Sequence, residues 1–346
     1  MGLNIRDIIP RREVEISELS DKILCVDAFN ALYQFLSTIR QPDGTPLMDS
    51  KKRITSHLSG IFYRNINLID EGIKLVYVFD GKAPGLKAKT YKIRQDVRDL
   101  AQERYETAKE EADVMGMKRY SSQMLRLDDE MIAESKELLI AMGIPVIQAP
   151  SEGEAQAAHM VRVNSKVYAS VSQDYDSLLF GASKLIRNLT VSRKRKTYSG
   201  YIEIKPEIIE LEKVFNFLEI NLEQLICLGI LVGTDYNPKG IPGIGQKRAL
   251  EIVKRYKVPY EIFKSVEEQM MSLPEDDRFD WQEIFALFYK PDVSNSDFEF
   301  IQFDEDKIKD ILVRKHDFSE ERVQKQIDKL KEIKQKNQQK NLGKWF

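Results

Sequence analysis

The chain has 346 residues, of which 42% are hydrophobic and 31% charged, as in a soluble globular protein that buries a sizeable core. Lys and Arg number 53 against 55 Asp and Glu, so the net charge of −2 excludes a uniformly basic protein but not separate acidic and basic surfaces. Cys25 and Cys227 lie in apolar runs, which argues against a disulfide framework or a cysteine zinc site. Without a signal-peptide core or a membrane-length apolar run, an intracellular location away from membranes is predicted.

The first part of the chain predicts strands that end on acidic residues. An apolar run at 23–26 ends at Asp27, and a second one at 75–79 ends at Asp80. In a parallel sheet flanked by helices, ligands bind beyond the carboxyl ends of the strands. Acids from separate strands are therefore expected to meet there. Helices are predicted over residues 28–39 and 50–71.

Four more acids follow the predicted strands at 145–147 and 167–171. They are Glu152, Glu154, Asp174 and Asp176. Crowded carboxylates destabilise a fold unless a cation or hydrogen-bond donors compensate them, which favours a divalent metal. Ser151 and Glu154 also match a capping box, which would give Glu154 a structural role at a helix start.

A polar insertion separates these two groups of acids. Residues 82–98 are rich in Lys and Arg, and a helix predicted over 97–115, interrupted at Gly116, is too polar on all sides for a core. Two interpretations remain open. The insertion is a solvated helical hairpin, or its cations face phosphate beside the acidic site.

A glycine-rich loop follows Asp235, the seventh candidate acid. Its glycines let the backbone approach a ligand closely, and the N–H groups of the next helix suit a phosphate. The loop contains Gly240, Gly243 and Gly245 and leads into Lys247 and Arg248. This is the helix-hairpin-helix type of contact with duplex DNA, without the ending of a Walker A loop. A tight turn with buried isoleucines is the alternative. Helices are predicted over 207–217 and 222–232.

The C-terminus carries apolar side chains with no obvious core to enter. A Lys-rich helix or tail predicted over 320–339 precedes Leu342, Trp345 and Phe346. A pocket on a partner protein would accommodate these side chains. Folding back onto the chain's own surface is the alternative.

Together these motifs resemble the flap structure-specific endonucleases of the 5′ nuclease superfamily, in their archaeal form. The matching segments are VDAFNALYQFL, YVFDGKAPGLK, SEGEAQAA, SQDYDSLLFG, LVGTDY, GIPGIGQKRA and the terminal tail. The resemblance implies an α/β fold with a central, mostly parallel twisted sheet flanked by helices. It also implies one nuclease domain at 1–330, with a helical arch at about 83–127, a helix-two-turn-helix at about 222–256, and a clamp-binding tail at 331–346.

The resemblance further implies two Mg²⁺ ions, replaceable by Mn²⁺, in an all-carboxylate site. Asp27, Asp80, Glu152 and Glu154 would surround one ion, and Asp174, Asp176 and Asp235 would serve the other. Oxygen ligands without His or Cys match the preference of Mg²⁺. Lys87 and Arg94 match two cations at the base of the arch that contact the scissile phosphate.

Further DNA contacts are implied by the same resemblance. Gly2 matches a segment near the active site, and Tyr33 an aromatic that stacks on a base, although Tyr33 could instead pack with Phe29 in the core. Arg40 and Arg64 match contacts with the duplex. The hairpin residues Gly240, Gly243, Gly245, Lys247 and Arg248 match an element that holds the duplex backbone and in relatives binds K⁺. Pro242 occupies a place that is often basic.

Gln339, Leu342, Trp345 and Phe346 resemble the peptide that docks on the replication sliding clamp, with Trp345 where Phe is commoner. The implied function is that of a monomeric 5′ flap endonuclease with 5′–3′ exonuclease activity, acting on flap and double-flap DNA in Okazaki fragment maturation and repair. A non-catalytic scaffold that binds DNA junctions and the clamp is the alternative from another class. A small-molecule phosphatase would explain the acids but neither the hairpin nor the tail.

Overall fold

A central sheet of seven strands and a separate two-stranded ribbon organise the molecule. The computed structural model describes residues 3–41, 43–82, 85–111, 113–191, 194–197 and 200–342. In chain order the strands are β1 (Arg12–Glu13), β2 (Ile23–Asp27), β3 (Lys74–Phe79), β4 (Val146–Gln148), β5 (Val167–Val171), β6 (Lys184–Arg187), β7 (Lys194–Thr197), β8 (Gly200–Glu203) and β9 (Glu207–Glu210).

The large sheet is parallel except at one edge. Its strand order is β1-β9-β6-β5-β2-β3-β4. β2 pairs in parallel with β3 and β5, and parallel pairing continues outward to β4 and β6. β9 runs antiparallel to β6 and β1. The predicted mostly parallel α/β sheet is confirmed, and the strands that precede the acids end at the same edge.

Helices surround this sheet, and short 3-10 and π-helical turns join them. The helices are α1 (Ala28–Thr38), α2 (Ser56–Ser59), α3 (Asn65–Asp70), α4 (Ala88–Glu110), α5 (Val114–Gln123), α6 (Asp129–Ala141), α7 (Gly153–Val163), α8 (Asp176–Leu179), α9 (Leu211–Leu218), α10 (Leu222–Val232), α11 (Gln246–Tyr256), α12 (Pro259–Lys264), α13 (Glu267–Met271), α14 (Trp281–Tyr289), α15 (Glu305–Lys309) and α16 (Glu320–Leu342). The 3-10 turns are Ile16–Leu19, Gly85–Lys87 and Glu275–Asp277, and the π turns are Gly60–Arg64 and Asp310–Lys315.

The core lies on both faces of the sheet because successive side chains of a strand point to opposite sides. β2 sends Leu24 and Val26 into a large cluster that includes residues of α1, α3, α6 and α16. It sends Cys25 into a smaller cluster under α7. Cys25 and Cys227 are both buried and free, as predicted.

Two predicted helices begin later than the sequence suggested. The helix predicted over 50–71 starts at Ser56, because the Asp49 carboxylate accepts the backbone N–H of Arg53 in a turn that places Lys52 at a φ of +63°. The helix predicted over 207–217 starts at Leu211. Residues 207–210 instead form β9, which pairs on both sides with other strands.

The polar insertion forms two helices whose break differs from the prediction. α4 ends at Glu110, and the Asp113 carboxylate caps α5, so Gly116 lies inside α5 and not at the break. Ala101 and Ala108 are buried on α4, which otherwise remains largely exposed. The small alanines allow the two helices to pack closely.

Within the described residues, no single helix is long and apolar enough to cross a membrane. α9 and α10 reach that length and composition only when taken together, and they are bent by 82° at their break. The residues of α10 are mostly buried in a core cluster that also contains apolar residues of α9, α11 and α14.

Candidate active site

All seven acids predicted from the sequence lie just beyond a strand or at the end of a helix. They are Asp27 at the end of β2, Asp80 after β3, Glu152 and Glu154 at the start of α7, Asp174 between β5 and α8, Asp176 at the start of α8, and Asp235 after α10. Because β2, β3 and β5 are parallel neighbours, their carboxyl ends bring these segments to one edge of the sheet.

Asn30 links the acids of two neighbouring strands. Its backbone N–H donates to Asp27 Oδ1 at 3.1 Å, and its Nδ2 donates to Asp174 Oδ2 at 3.0 Å. Asn30 Oδ1 in turn accepts the backbone N–H of Gln173 at 3.0 Å. Sequence reasoning missed Asn30, although its position three residues after a helix-capping aspartate was a usable signal. Asn30 thereby fixes the separation of Asp27 and Asp174.

Asp80 and Glu154 each accept hydrogen bonds from another segment. Asp80 Oδ1 accepts the backbone N–H of Gly153 at 2.6 Å. Glu154 Oε1 accepts the N–H and hydroxyl of Ser177 at 2.9 and 2.6 Å. Glu152 occupies the N-cap position of α7, so the capping-box interpretation of Glu154 is wrong. Glu154 instead connects α7 to the segment of the last two acids through Ser177, which sequence reasoning also missed.

Burial and mutual repulsion perturb these carboxylates. Burial raises the pKa of Asp27 to about 8, with the charge of Asp80 as the second cause. Burial likewise raises the pKa of Asp176 to about 8, with the charge of Asp235 as the second cause. The pKa of Glu154 rises well above its usual range through burial and then the charge of Asp176. The acids are thus close enough to repel each other, and a cation would relieve that repulsion.

The donor chemistry of this cleft suits Mg²⁺. Among the described residues, no three His, Cys, Asp or Glu side chains are arranged to hold an ion by themselves. Mg²⁺ takes oxygen ligands and usually keeps several of its waters, so carboxylates that do not enclose an ion by themselves can still contribute ligands to it. These acids fit Mg²⁺ because they supply oxygen donors and because their mutual repulsion needs a cation to offset it.

We expect the metal-free protein to lose thermal stability as the pH rises from about 4 to about 8. The folded carboxyls of Asp27 and Asp176 have pKa values near 8 against an ordinary 3.8, so the folded state binds more protons in this window. The free energy of unfolding therefore falls with rising pH there. Mg²⁺ should raise Tm more at about pH 8 than at about pH 5.5. Thermal melts with EDTA or Mg²⁺ measure this, and an equal Mg²⁺ effect at both pH values would contradict it.

Lys87 joins the base of α4 to the acids. Its Nζ lies 2.6 Å from Glu152 Oε1 and 5.4 Å from the ring centroid of Tyr236. Burial works against the charge of Lys87, but Glu152 outweighs it, and the pKa of Lys87 stands above its ordinary value. Lys87 therefore stays charged at the acidic cleft. Tyr236, buried beside it, was not singled out from the sequence.

The first turns of α4 are also anchored at the site, since the Thr90 hydroxyl donates to the backbone carbonyl of Asp235. Arg94 lies further along α4, and its side chain is outside the described part of the molecule. The role predicted for Arg94 stays a prediction.

Several predicted contact residues fall outside the described residues. Gly2, Trp345 and Phe346 do so entirely, and for Gln339 and Leu342 the structure describes the backbone, as part of α16. Leu3, which follows Gly2, donates its backbone N–H to Asp176 Oδ1 at 3.4 Å. The N-terminal segment thus reaches the acids. Clamp binding by the tail stays a prediction.

Arg40 and Arg64 are bonded within the chain. Arg40 Nη1 donates to the Ser121 hydroxyl of α5 at 2.8 Å, and Arg64 Nη2 donates to Thr38 Oγ1 at 3.0 Å. A phosphate contact by either arginine would compete with these bonds. Tyr33 is 37% exposed on α1. DNA contact by these residues stays a prediction.

The glycine-rich hairpin between α10 and α11 combines a buried and an exposed side. Ile241 and Ile244 are buried in a core cluster, so the turn does hold apolar side chains. Gly240 has a φ of +58°, and a Cβ there would overlap the carbonyl of Val232. The exposed side presents Gly243, Gly245, Lys247 and Arg248. A tight turn and an exposed cationic face therefore coexist.

The Gly240→Ala variant is expected to lower the free energy of unfolding by about 1–3 kcal/mol, because the added Cβ meets both strain and overlap. It should also weaken binding to duplex DNA, because the hairpin must shift. Gly245→Ala is the matched control for stability, with a φ of −87° and no atom within 4 Å of an added Cβ. Thermal melts and binding to a labelled duplex measure both effects. Equal stability of the two variants would contradict the need for glycine at position 240.

The acids and the sheet that carries them match known nuclease families. Residues 4–101 match the XPG N-terminal domain, and residues 143–235 match the XPG I-region. Flap endonuclease 1 of Pyrococcus furiosus is 50% identical over 349 residues, which cover 100% of this chain and 99% of that relative. Flap endonuclease 1 of Thermococcus onnurineus is 49% identical over 349 residues, with the same coverage.

Solved structures agree with this match. Flap endonuclease-1 from Methanococcus jannaschii superposes with a TM-score of 0.74 at 37% identity, covering 96% of this chain and 98% of that one. The catalytic core of Rad2 in complex with DNA substrate shares the fold, with a TM-score of 0.69 at 24% identity, covering 95% of this chain and 100% of that one. The resemblance seen in the sequence is confirmed, and the chain belongs to the flap endonuclease family.

Proposed function

We propose that this chain cuts the 5′ strand at the base of a flap by two-metal-ion hydrolysis of a phosphodiester bond. The family consists of nucleases that act on DNA and are generally metal-dependent. The observation that carries the proposal is the set of mutually repelling carboxylates with the charged Lys87 among them. A protein that only bound DNA would gain nothing from such negative charge beside its ligand.

Two Mg²⁺ ions fit the two groups of acids, with Mn²⁺ as a substitute. Asp27, Asp80, Glu152 and Glu154 would hold the first, and Asp174, Asp176 and Asp235 the second, with Glu154 shared between the two. When bound, such ions supply an activated water and stabilise charge on the reacting phosphate. The Ser177 and Asn30 hydrogen bonds orient Glu154, Asp27 and Asp174 for this task.

Lys87 provides a positive charge next to the same phosphate. Its ion pair with Glu152 holds the ammonium at the cleft before DNA arrives. A preorganised cation stabilises the negative charge that develops on the phosphate oxygens in the transition state. Arg94 is proposed as a second such cation from the same helix.

Substrate choice would rest on the shape of the DNA junction and not on base sequence. The exposed side of the hairpin, with Lys247 and Arg248, suits the phosphate backbone of a duplex. The helix pair α4 and α5 lies within the insertion proposed as the arch, at about 83–127, and Lys87 is the N-cap residue of α4. The Rad2 core and human GEN1 have been solved with DNA substrate and Holliday junction DNA, respectively. DNA is accordingly the proposed partner of this chain, and the resemblance of the hairpin implies K⁺ at its carbonyls.

The C-terminal tail is proposed to connect the nuclease to the replication machinery. Residues 1–330 are proposed as one nuclease domain, including the helix-two-turn-helix at about 222–256, and 331–346 as the tail. Gln339, Leu342, Trp345 and Phe346 would dock on a sliding clamp. The clamp would bring a monomeric nuclease to flaps in Okazaki fragment maturation and repair, with 5′–3′ exonuclease activity at nicks.

Cleavage of a labelled double-flap DNA tests the proposal. The purified chain with Mg²⁺ should release the 5′ flap by a cut near its base and leave a plain duplex of the same sequence intact. EDTA should abolish the cut. Binding to the junction without cleavage in either Mg²⁺ or Mn²⁺ would favour the scaffold alternative and remove the main support for the metal assignments.

A further inference from the structure

Arg187, on β6, contacts the residues on either side of Asp174, in the segment that leads to Asp176. Its Nε donates to the backbone carbonyl of Gln173 at 3.0 Å. Its guanidinium lies 4.1 Å from the ring centroid of Tyr175, and its Nη1 donates to the Tyr175 hydroxyl. The two residues that flank Asp174 are therefore both held by one guanidinium.

Glu207, on β9, holds this guanidinium in place. Arg187 and Glu207 are register partners in the antiparallel pair of β6 and β9. Arg187 Nη1 lies 3.6 Å from Glu207 Oε2, and Glu207 is 8% exposed. The register of the two strands thus places a buried carboxylate opposite Arg187, close enough for an ion pair with the guanidinium.

The N-terminal segment is fastened to the same group. Arg6 Nη2 and Arg11 Nε lie 3.1 and 3.5 Å from Glu207 Oε1. Leu3 of the N-terminal segment and Tyr175 of the acidic loop belong to the same apolar cluster. The sheet edge, the N-terminal segment and the loop of two acids thus meet at the pair of Arg187 and Glu207.

We propose that Arg187, held by Glu207 and acting through Gln173 and Tyr175, is a positioning residue that sets the placement of the Asp174 and Asp176 carboxylates for a divalent metal ion. This inference rests on the proposed function, in which these two acids are ligands. A guanidinium offers several N–H donors in a rigid plane, so it can hold a carbonyl, a hydroxyl and a carboxylate at once. Lysine has no such plane of donors.

Partners that orient ligands typically change metal affinity or activity by about 10–100-fold when removed. The Arg187→Met variant should therefore bind metal more weakly by a factor in that range. Tyr175→Phe, which keeps the ring and loses the hydroxyl contact, should show a smaller loss. Arg187→Lys keeps the charge but not the fork of donors, so it should resemble Arg187→Met.

Binding of Mn²⁺ to the full chain without DNA, followed by electron paramagnetic resonance, provides a readout that does not depend on cleavage. Arg12→Met is the matched control, because Arg12 lies on β1 in the same sheet and pairs with Glu18 at 2.8 Å. This control should bind Mn²⁺ like the wild type. Circular dichroism melts identify any variant that fails to fold, and Tyr175→Phe then carries the test.

Cleavage supplies the second readout. For Arg187→Met, the Mg²⁺ concentration for half-maximal cleavage should rise by the same factor as the loss of Mn²⁺ affinity, with most of the rate recovered at saturating Mg²⁺. Flap affinity, measured in Ca²⁺, should not change. Mn²⁺ affinity equal to the wild type in folded variants would overturn the inference, and weaker DNA binding alone would mark Arg187 as a phosphate contact. A wild type that binds no Mn²⁺ would instead refute the proposed function.

Discussion

The Asp176→Ala variant is expected to bind flap DNA about as tightly as the wild type and to cut it at least about 10³-fold more slowly. Asp176 is buried among other acids and offers DNA no attractive contact, so its removal should not weaken binding. A single preorganised electrostatic group typically contributes about 10²–10³ to kcat, and the loss of a metal ligand should cost at least as much. Single-turnover cleavage in Mg²⁺ and anisotropy binding in Ca²⁺ measure the two quantities.

A substitution of Asp176 that abolishes cleavage is also expected to raise the thermal stability of the metal-free protein. Asp176→Asn removes a buried carboxylate whose pKa is raised to about 8, so the metal-free variant should melt at a higher temperature than the wild type at about pH 8. Asp276→Ala, an exposed acid on a 3-10 turn, is the control and should change neither property. Cleavage by Asp176→Ala at a rate near that of the control would contradict the ligand assignment.

The Lys87→Ala variant should lose about 10²–10³ in kcat, because it removes the cation proposed to face the reacting phosphate. KM should change less, since the proposed DNA contacts of the hairpin are left in place. The variant also leaves the buried Glu152 without its partner at 2.6 Å, so the metal-free protein should become less stable. Steady-state kinetics and melts with and without Mg²⁺ measure these effects.

Lys92→Ala is the matched control for Lys87, since Lys92 is an exposed lysine on α4. It should leave kcat unchanged and reduce only the salt dependence of DNA binding. Equal losses of kcat in both variants would show that α4 contributes general positive charge. The ion pair of Lys87 with Glu152 would then have no special part in the reaction.

The sheet and the acids could be predicted because both depend on local patterns. Asp27 and Asp80 each follow a run of apolar residues that forms a buried strand, and the carboxyl ends of parallel strands lie at one edge. A helix start near Glu152 was also indicated by the match of Ser151 and Glu154 to a capping box, although the N-cap is Glu152. These signals need no knowledge of distant contacts.

The supporting contacts could not be predicted because their partners are far apart in the chain. Asn30 and Asp174 are 144 residues apart, and Glu154 and Ser177 are 23 residues apart. The capping-box interpretation of Glu154 was wrong for this reason, since a local motif was weighed without its distant competitor. No local pattern marks Arg187, and only the pairing of β6 with β9 shows that it faces Glu207.

Anomalous scattering from crystals grown with Mn²⁺ would show whether the acids at the sheet edge hold two divalent ions. Two peaks are expected among these acids, one beside Asp27 and Asp80 and one beside Asp174 and Asp176. In Asp176→Ala crystals the second peak should be lost and the first retained. No peak at these acids, or two peaks retained in the Asp176→Ala crystals, would contradict a two-metal site.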